Sequence, residues 1–389
     1  MPVGKRTTPL GHWWLSHPER RQYDGLTFDP GKEKVIGHKL NLWQGWAIEP
    51  KQGDWSLMKQ HILDVICDRD KAAYDYVIKW LAWMFQNPNK QAEVALVLKG
   101  DRGAGKGTLG NMVIKIFGQH AVHVRQKSQF IGRFNAHLRD CCFLFADEAY
   151  WAGDKEAEGS LQGLITEPCL PIEGKGRDLI TVPNMLHVLI ASNNDWVVPA
   201  GAFERRYVVL ETSNHWIDDK EYFKGLYKEI NNGGGAATLH DLLAMELGDW
   251  HPRQIYRTKA LADQQRRSLS HEDAAWVQIL EDGILPGAIF YDDNPNEALS
   301  NGLYTHMKET SPALKHHSDI HLANYLRERG SKEHPVRRIQ MGKRKLKGWA
   351  FPSLSICRQV WSQQHPEWEF DDQTEWGEEN EQKTEKKHG

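Results

Sequence analysis

VALVLKGDRGAGKGT, residues Val94 to Thr108, carries the reading on which the fold turns. Val94 to Lys99 is a nearly continuous apolar run of strand length, as expected for a strand buried on both faces. Glycines then break the pattern, and Leu109, Met112, Val113 and Ile116 recur at helical spacing. Strand, glycine loop and helix in this order suit a phosphate cradle with the spacing Gly-x4-Gly-Lys. N–H groups at a helix N-terminus point at an anion, and a lysine there reaches the β- and γ-oxygens of a nucleotide. Gly100, Gly103, Ala104, Gly105, Lys106, Gly107 and Thr108 are therefore the candidate ATP-binding set. Gly107 stands where a Ser or Thr hydroxyl normally meets Mg²⁺, and Thr108 follows it.

Working outward, CCFLFA (Cys141 to Ala146), HVLIAS (His187 to Ser192) and YVVLE (from Tyr207) are further apolar runs of strand length. With β-strands and helices alternating, the fold class is α/β with a parallel sheet. Asp147 and Glu148 follow the CCFLFA strand, 41 residues after Lys106, at the end of the sheet where ligands of open α/β folds bind. Asp147 is a candidate Mg²⁺ holder, directly or through water and together with Thr108, and Glu148 a candidate for polarising the attacking water. Asn193 ends the next strand and can meet a γ-phosphate without adding negative charge. Taken alone it reads as an Asn turn. Arg205 and Arg206 precede the YVVLE strand and suit stabilisation of transition-state charge in a neighbouring subunit. Lys175 lies in Gly174-Lys175-Gly176 between two short β-like runs, at the tip of a hairpin where it can meet phosphates.

The chain has 389 residues, 40% hydrophobic and 26% charged, ordinary values for soluble folded domains. No apolar stretch approaches the roughly 18 residues that span a bilayer, and MPVGKRTTPLGHWW has no signal-peptide core, so no membrane partner and a cytoplasmic location are expected. Five cysteines without a CxxC pair argue against a zinc finger or a disulfide framework. The net charge of −3 is uneven: Glu367 to Gly389 holds nine acidic and three basic side chains, leaving the rest at +3. That stretch has no apolar periodicity and reads as a disordered acidic tail.

Four regions are expected: an N-terminal helical region over 1–90, the P-loop core over 91–255, a C-terminal DNA-binding region over 256–366, and the tail over 367–389. In the third region Ser318 is a fitting N-cap for a helix from Asp319 to Arg329 that Gly330 stops. A basic hairpin follows, in which six of the eleven residues from Arg337 to Lys347 are Lys or Arg. Arg337, Arg338, Lys343, Arg344, Lys345 and Lys347 are candidate phosphate contacts. KHHSDIH, Lys315 to His321, lacks Cys or carboxylate partners at ligand spacing and reads as a helix start rather than a metal site.

In order, the P-loop, DEAYWAGDK, the Lys175 hairpin, ASNN and ERR resemble superfamily 3 helicases, the AAA+-type motors of small DNA viruses, phages and plasmids, and in particular the helicase part of phage primase-helicases. The resemblance runs from about Tyr23 to Pro352. It implies a ring-forming DNA helicase, a hexamer, that moves 3′ to 5′, with Lys175 in a pore hairpin on single-stranded DNA, Asn193 as sensor, and Arg205 or Arg206 as arginine finger. The C-terminal helix and hairpin resemble the helix and wing of a winged-helix domain that binds duplex DNA. A separate primase or polymerase is a further expected partner. Two rivals remain open: a nucleotide kinase, because GAGKGT also occurs in adenylate-kinase-like loops, and a DNA-binding initiator or defence scaffold that uses nucleotide only to assemble.

Overall fold

The computed structural model describes residues 9–126, 132, 134–148, 155–176, 178–201, 204–287, 296–330, 337–341, 344–366 and 368–377. The chain forms two compact units. The first comprises the described residues up to Glu148 together with Lys155–Asn194 and Leu210–Tyr256, and the second Asp195–Val209 and the described residues from Arg257 onward. The N-terminal residues thus share a unit with the glycine loop, and Asp195–Val209 belongs to the second unit.

The first unit opens with α1 (Leu10–Ser16) and a small sheet of β1 (Gly25–Thr27), β2 (Val35–Ile36) and β3 (Lys39–Asn41), where β3 lies between a parallel β1 and an antiparallel β2. This adds a small sheet to a region for which helices alone were expected. Asn41 supplies the reason: its buried amide donates to the carbonyls of Asp29 and Glu33 and accepts from the Asp29 and Trp43 N–H groups, so loop backbone is satisfied without a helix. After this sheet come α2 (Ser56–His61), which a π-helical turn, Ile62–Ile66, follows, and α3 (Lys71–Gln86). Asp70 caps α3, accepting from Ala72 and Ala73 at 2.9 and 3.1 Å. Trp80 of α3 is fully buried and donates from Nε1 to Val94 O at 3.0 Å, just ahead of the central sheet.

The elements that follow are β4 (Ala95–Lys99), α4 (Lys106–Phe117), β5 (Ala121–Val124), β6 (Phe143–Asp147), α5 (Lys155–Thr166), β7 (Cys169–Ile172), β8 (Ile180–Pro183), β9 (His187–Ser192), β10 (Tyr207–Glu211), α6 (Lys220–Glu229) and α7 (Gly235–Leu243). Five strands make a parallel sheet in the order β10-β4-β9-β6-β5. Its register sets Lys99 beside Ser192 and Asp147 beside Ala191, so β4, β9 and β6 end level and their following loops emerge on one edge. Helix α4 lies close to the sheet at Gly110, where a Cβ would come within 2.8 Å of the Phe145 ring. Strands β7 and β8 pair antiparallel as a separate hairpin with Lys175 exposed in its loop.

The second unit contains α8 (Lys259–Arg267), α9 (His271–Asp282), β11 (Glu297–Leu299), α10 (Ser300–Thr310), α11 (Asp319–Gly330), β12 (Arg337–Met341), β13 (Arg344–Ala350) and α12 (Leu354–Gln364). Ser270 caps α9 through a 3.0 Å bond from Asp273 N–H, and Gly283 closes it at φ 64°. The sheet order is β11-β13-β12, antiparallel throughout. Trp276, Leu280, Leu303, Met307, Leu322, Leu326, Trp349 and Trp361 fill the core.

The acidic tail does not begin at 367. Trp368 and Trp376 join this core, Gly377 N–H donates to Gly283 O at 2.8 Å, and the guanidinium of buried Arg358 holds the Asp371 carboxylate at 2.6 Å and the Gln373 carbonyl at 2.8 Å. Two buried tryptophans, with Phe370 packed against the same core, outweigh the charge between them, because aromatic side chains bury large apolar surfaces. Residues 378–389 lie outside the described residues. Among the described residues no helix is long and apolar enough to cross a membrane.

Candidate functional site

The loops leaving β4, β6 and β9 border an open cleft of about 310 Å³. Gly103, Gly105, Lys106, Gly107 and Thr108 line it with Asp147, Glu148, Asn193 and, from α6, Phe223 and Tyr227. Ala104 is buried beneath the loop, and Gly100 starts it. The glycines are needed for shape: Gly103 and Gly105 stand at φ 86° and 98°, and a Cβ on Gly105 would come within 2.6 Å of His61 Cε1 and 2.9 Å of Phe223 Cε1.

Lys106 opens α4, and its ammonium donates to Gly100 O at 2.8 Å, Asp101 O at 2.7 Å and Asn193 Oδ1 at 3.1 Å. Burial lowers its pKa and outweighs the opposing pull of Asp147, Asp101 and Glu148. The cation is thereby held against neutral carbonyl oxygens, which an anionic oxygen entering the cleft can replace with a stronger partner. Thr108 is almost wholly buried one position beyond Gly107, with its N–H bonded to Gly105 O at 3.0 Å.

Asp147 ends β6 half-exposed, 3.5 Å from His123 Nε2, whose ring stacks on Phe145 at 4.8 Å. Burial and Arg125 lower the His123 pKa against the pull of Asp147. Glu148 leaves the sheet at φ 58° while its N–H bonds to Ala191 O at 3.0 Å. A left-handed backbone at a non-glycine residue costs on the order of 1 kcal/mol, and such strain gathers at functional sites. The donor set fits a hard divalent cation: Asp147, Glu148 and Thr108 offer oxygen atoms on one cleft.

Two histidines carry structure that sequence reasoning missed. His61 places Nε2 3.1 Å from Gly105 O and Nδ1 2.9 Å from Tyr222 OH, and burial drops its pKa to about 4. A neutral imidazole therefore braces the glycine loop from the C-terminal end of α2. Its 44-residue separation from Gly105 left no sequence signal. His123 was visible as a polar residue in the otherwise apolar AVHV, but nothing local paired it with Asp147.

The remaining candidates lie elsewhere. Lys175 sits at its hairpin loop, exposed. In the second unit, Glu204 accepts from the N–H groups of Arg205 and Arg206 at 2.8 and 2.7 Å and stands 3.5 Å from Arg206 Nη1; Arg205 is exposed and forms no ion pair among the described residues. Arg337 and Arg338 belong to β12, Arg344, Lys345 and Lys347 to β13, and Lys347 is exposed. Lys343 lies outside the described residues, as do residues 149–154 of the DEAYWAGDK stretch.

A family described as "Family of unknown function (DUF5906)" matches residues 98–206, which contain the whole run from the glycine loop to the arginine pair. A DNA primase-polymerase of Nitratiruptor phage NrS-1 is 24% identical over 237 residues, 59% of this chain and 31% of that protein. The chain thus spans about a third of the length of this relative. Among solved structures, an apo structure of the NrS-1 C-terminal region shares 85% of both chains at a TM-score of 0.65 and 18% identity, and another form of the same region gives 0.66 at 17%. The chain therefore shares its fold with the C-terminal region of a phage replication protein.

Proposed function

We propose that this chain is an ATP-driven motor on DNA, a helicase of AAA+ type serving replication of a phage or related mobile element. The observation that carries the reading is the set of three hydrogen bonds that Lys106 Nζ donates to two loop carbonyls and to Asn193 Oδ1, with Asp147, Glu148 and Thr108 on the same cleft. In this reading Lys106 and the loop N–H groups bind the β- and γ-phosphates of ATP, Asp147 and Thr108 hold Mg²⁺, and Glu148 takes a proton from the lytic water. Asn193 changes partner between Lys106 and the γ-phosphate, which gives it the position of a sensor. Arg205, exposed while Arg206 faces Glu204, completes the site of a neighbouring copy in a homo-oligomeric ring, a hexamer.

Lys175 at the β7–β8 hairpin contacts single-stranded DNA. The second unit supplies duplex binding: α9, β11, α10, α11, β12 and β13 follow the winged-helix order, with the β12–β13 hairpin as wing. The phage relative's name, a primase-polymerase, supports the replication setting. A primase or polymerase, on a separate chain or a linked one, is the partner this implies.

Gly107, which offers no hydroxyl to a metal, favours one other reading, a nucleotide-controlled DNA-binding scaffold that hydrolyses negligibly. Turnover decides between them. Purified protein should hydrolyse ATP faster with DNA present, Lys106→Ala should abolish hydrolysis, and Glu148→Gln should bind ATP without turnover because an amide cannot act as a base. Nucleotide binding with no hydrolysis by the parent would establish the scaffold, and phosphoryl transfer to a nucleoside monophosphate would establish a kinase. Normal turnover by Glu148→Gln would remove that residue from the mechanism.

A further inference from the structure

Outside the nucleotide-type cleft, the second unit brings a glutamate to two histidines that stand more than forty positions further along the chain. Glu272 lies in the first turn of α9, His317 just ahead of α11, and His321 in the first turn of α11. His321 Nε2 is 2.7 Å and His317 Nδ1 3.2 Å from the same oxygen, Glu272 Oε1, and one ligand atom from each residue lies within 4.8 Å of the others. The two imidazoles meet edge to face at 4.5 Å. His317 Nδ1 is shielded from solvent and, among the described residues, has no hydrogen bond of proper geometry in spite of its distance to the carboxylate. Asp319, the carboxylate within KHHSDIH itself, is taken by Lys308 at 2.8 Å, and Glu272 provides a carboxylate to the histidines through the packing of α9 against the turn before α11.

We propose that Glu272, His317 and His321 form a binding site for a divalent transition-metal ion, of which Zn²⁺ is the fitting representative. Two neutral imidazoles and one carboxylate are a borderline donor set, suited to Zn²⁺ rather than to the oxygen-seeking Mg²⁺ of the P-loop cleft. In a tetrahedral Zn²⁺ site with bonds of about 2.0–2.1 Å, ligand atoms stand about 3.3–3.4 Å apart. The His317–Glu272 separation of 3.2 Å already matches one edge of that figure. The His321–Glu272 hydrogen bond at 2.7 Å has only to open by a rotamer adjustment, since the His321 side chain is half-exposed. Three protein ligands leave the fourth position to water. The bound ion would fasten the N-terminal end of α11 to that of α9, and in a winged-helix reading of this unit α11 is the helix next to the wing.

The test uses the full chain after chelator treatment, titrated with Zn²⁺ against a competing chromophoric chelator, with Co²⁺ as an optical probe. One tight equivalent of Zn²⁺, a Co²⁺ spectrum of tetrahedral intensity and a higher Tm with metal are expected. Removing one direct ligand, as in His321→Gln or Glu272→Gln, should weaken Zn²⁺ binding by more than about 100-fold, beyond the roughly 10–100-fold that loss of an outer partner brings. His316→Gln, a change at the exposed neighbour, should leave affinity unaltered. Melting of each variant without metal controls for folding. Failure of the parent to bind Zn²⁺ tighter than the double variant Glu272→Gln/His321→Gln would overturn the proposal, whatever the ATPase assays give.

Discussion

Lys106, Asn193 and His61 show how much of the cleft rests on single side chains. His61 and His187 each have a pKa near 4, burial being the leading cause in both. Both are therefore neutral in the folded chain at values where the unfolded chain, near 6.5, is already protonated. Their folded values are depressed, so their contribution is intact above pH 6.5 and is lost as pH falls from 6.5 toward 4. A shift of about 2.5 units corresponds to about 3 kcal/mol for each group. Urea midpoints measured from pH 7 down to pH 4 should fall steeply across this window. A flat profile would mean that neither imidazole is buried in the neutral form. Lys106, Asp147, Glu148 and Asn193 could be singled out one by one as candidates, because each follows from residue type and spacing at the end of an apolar strand or a glycine loop. His61 was not, because its contact with Gly105 O crosses two elements and has no spacing rule.

Among the elements, the β7–β8 hairpin is the clearest functional expectation. Lys175→Ala should leave basal ATPase intact and remove DNA stimulation, since the side chain would meet the track and not the nucleotide; unchanged stimulation would return Lys175 to a solvated loop residue. The stretch 368–377 is the clearest structural one. Trp376 is 4% exposed and donates from Nε1 to Pro352 O at 2.9 Å. Trp376→Ala should destabilise the second unit by about 3–5 kcal/mol, the usual loss for a buried aromatic. A chain ending at residue 366 should lose at least as much. Equal Tm values for parent and both variants would show that the stretch is dispensable. Composition misled here because nine carboxylates dominate any average, while stability follows the few side chains that find a pocket. The N-terminal sheet escaped notice for a related reason: its strands are two or three residues long, below any periodicity.

For the whole molecule, the ring reading makes hydrolysis depend on contacts between copies. ATP turnover should rise steeply with protein concentration. Arg205→Ala should keep ATP binding and reduce turnover by about 10³-fold, the lower end for an arginine finger, whereas Arg206→Ala, which removes the partner of Glu204, should act mainly on stability. Mixing Arg205→Ala with Lys106→Ala protein should restore part of the activity, because some interfaces then pair an intact P-loop with an intact arginine. Mixed oligomers that form and stay inactive would end the claim that Arg205 acts across an interface.

From the sequence by itself came the α/β class, the strand-loop-helix around Lys106, and the candidate roles of Asp147, Glu148 and Asn193, since each depends on local periodicity or on the end of an apolar strand. Tertiary structure alone decided that β4, β9 and β6 end level on one edge, which makes those residues one site. It also decided that His61 braces the loop, that residues 195–209 leave the first unit, and that Glu272 meets two histidines more than forty positions away. The physical reason is common to all of these. Periodicity and spacing report only on near neighbours along the chain, whereas sheet order, register and the burial of polar groups are chosen by the free energy of packing the whole.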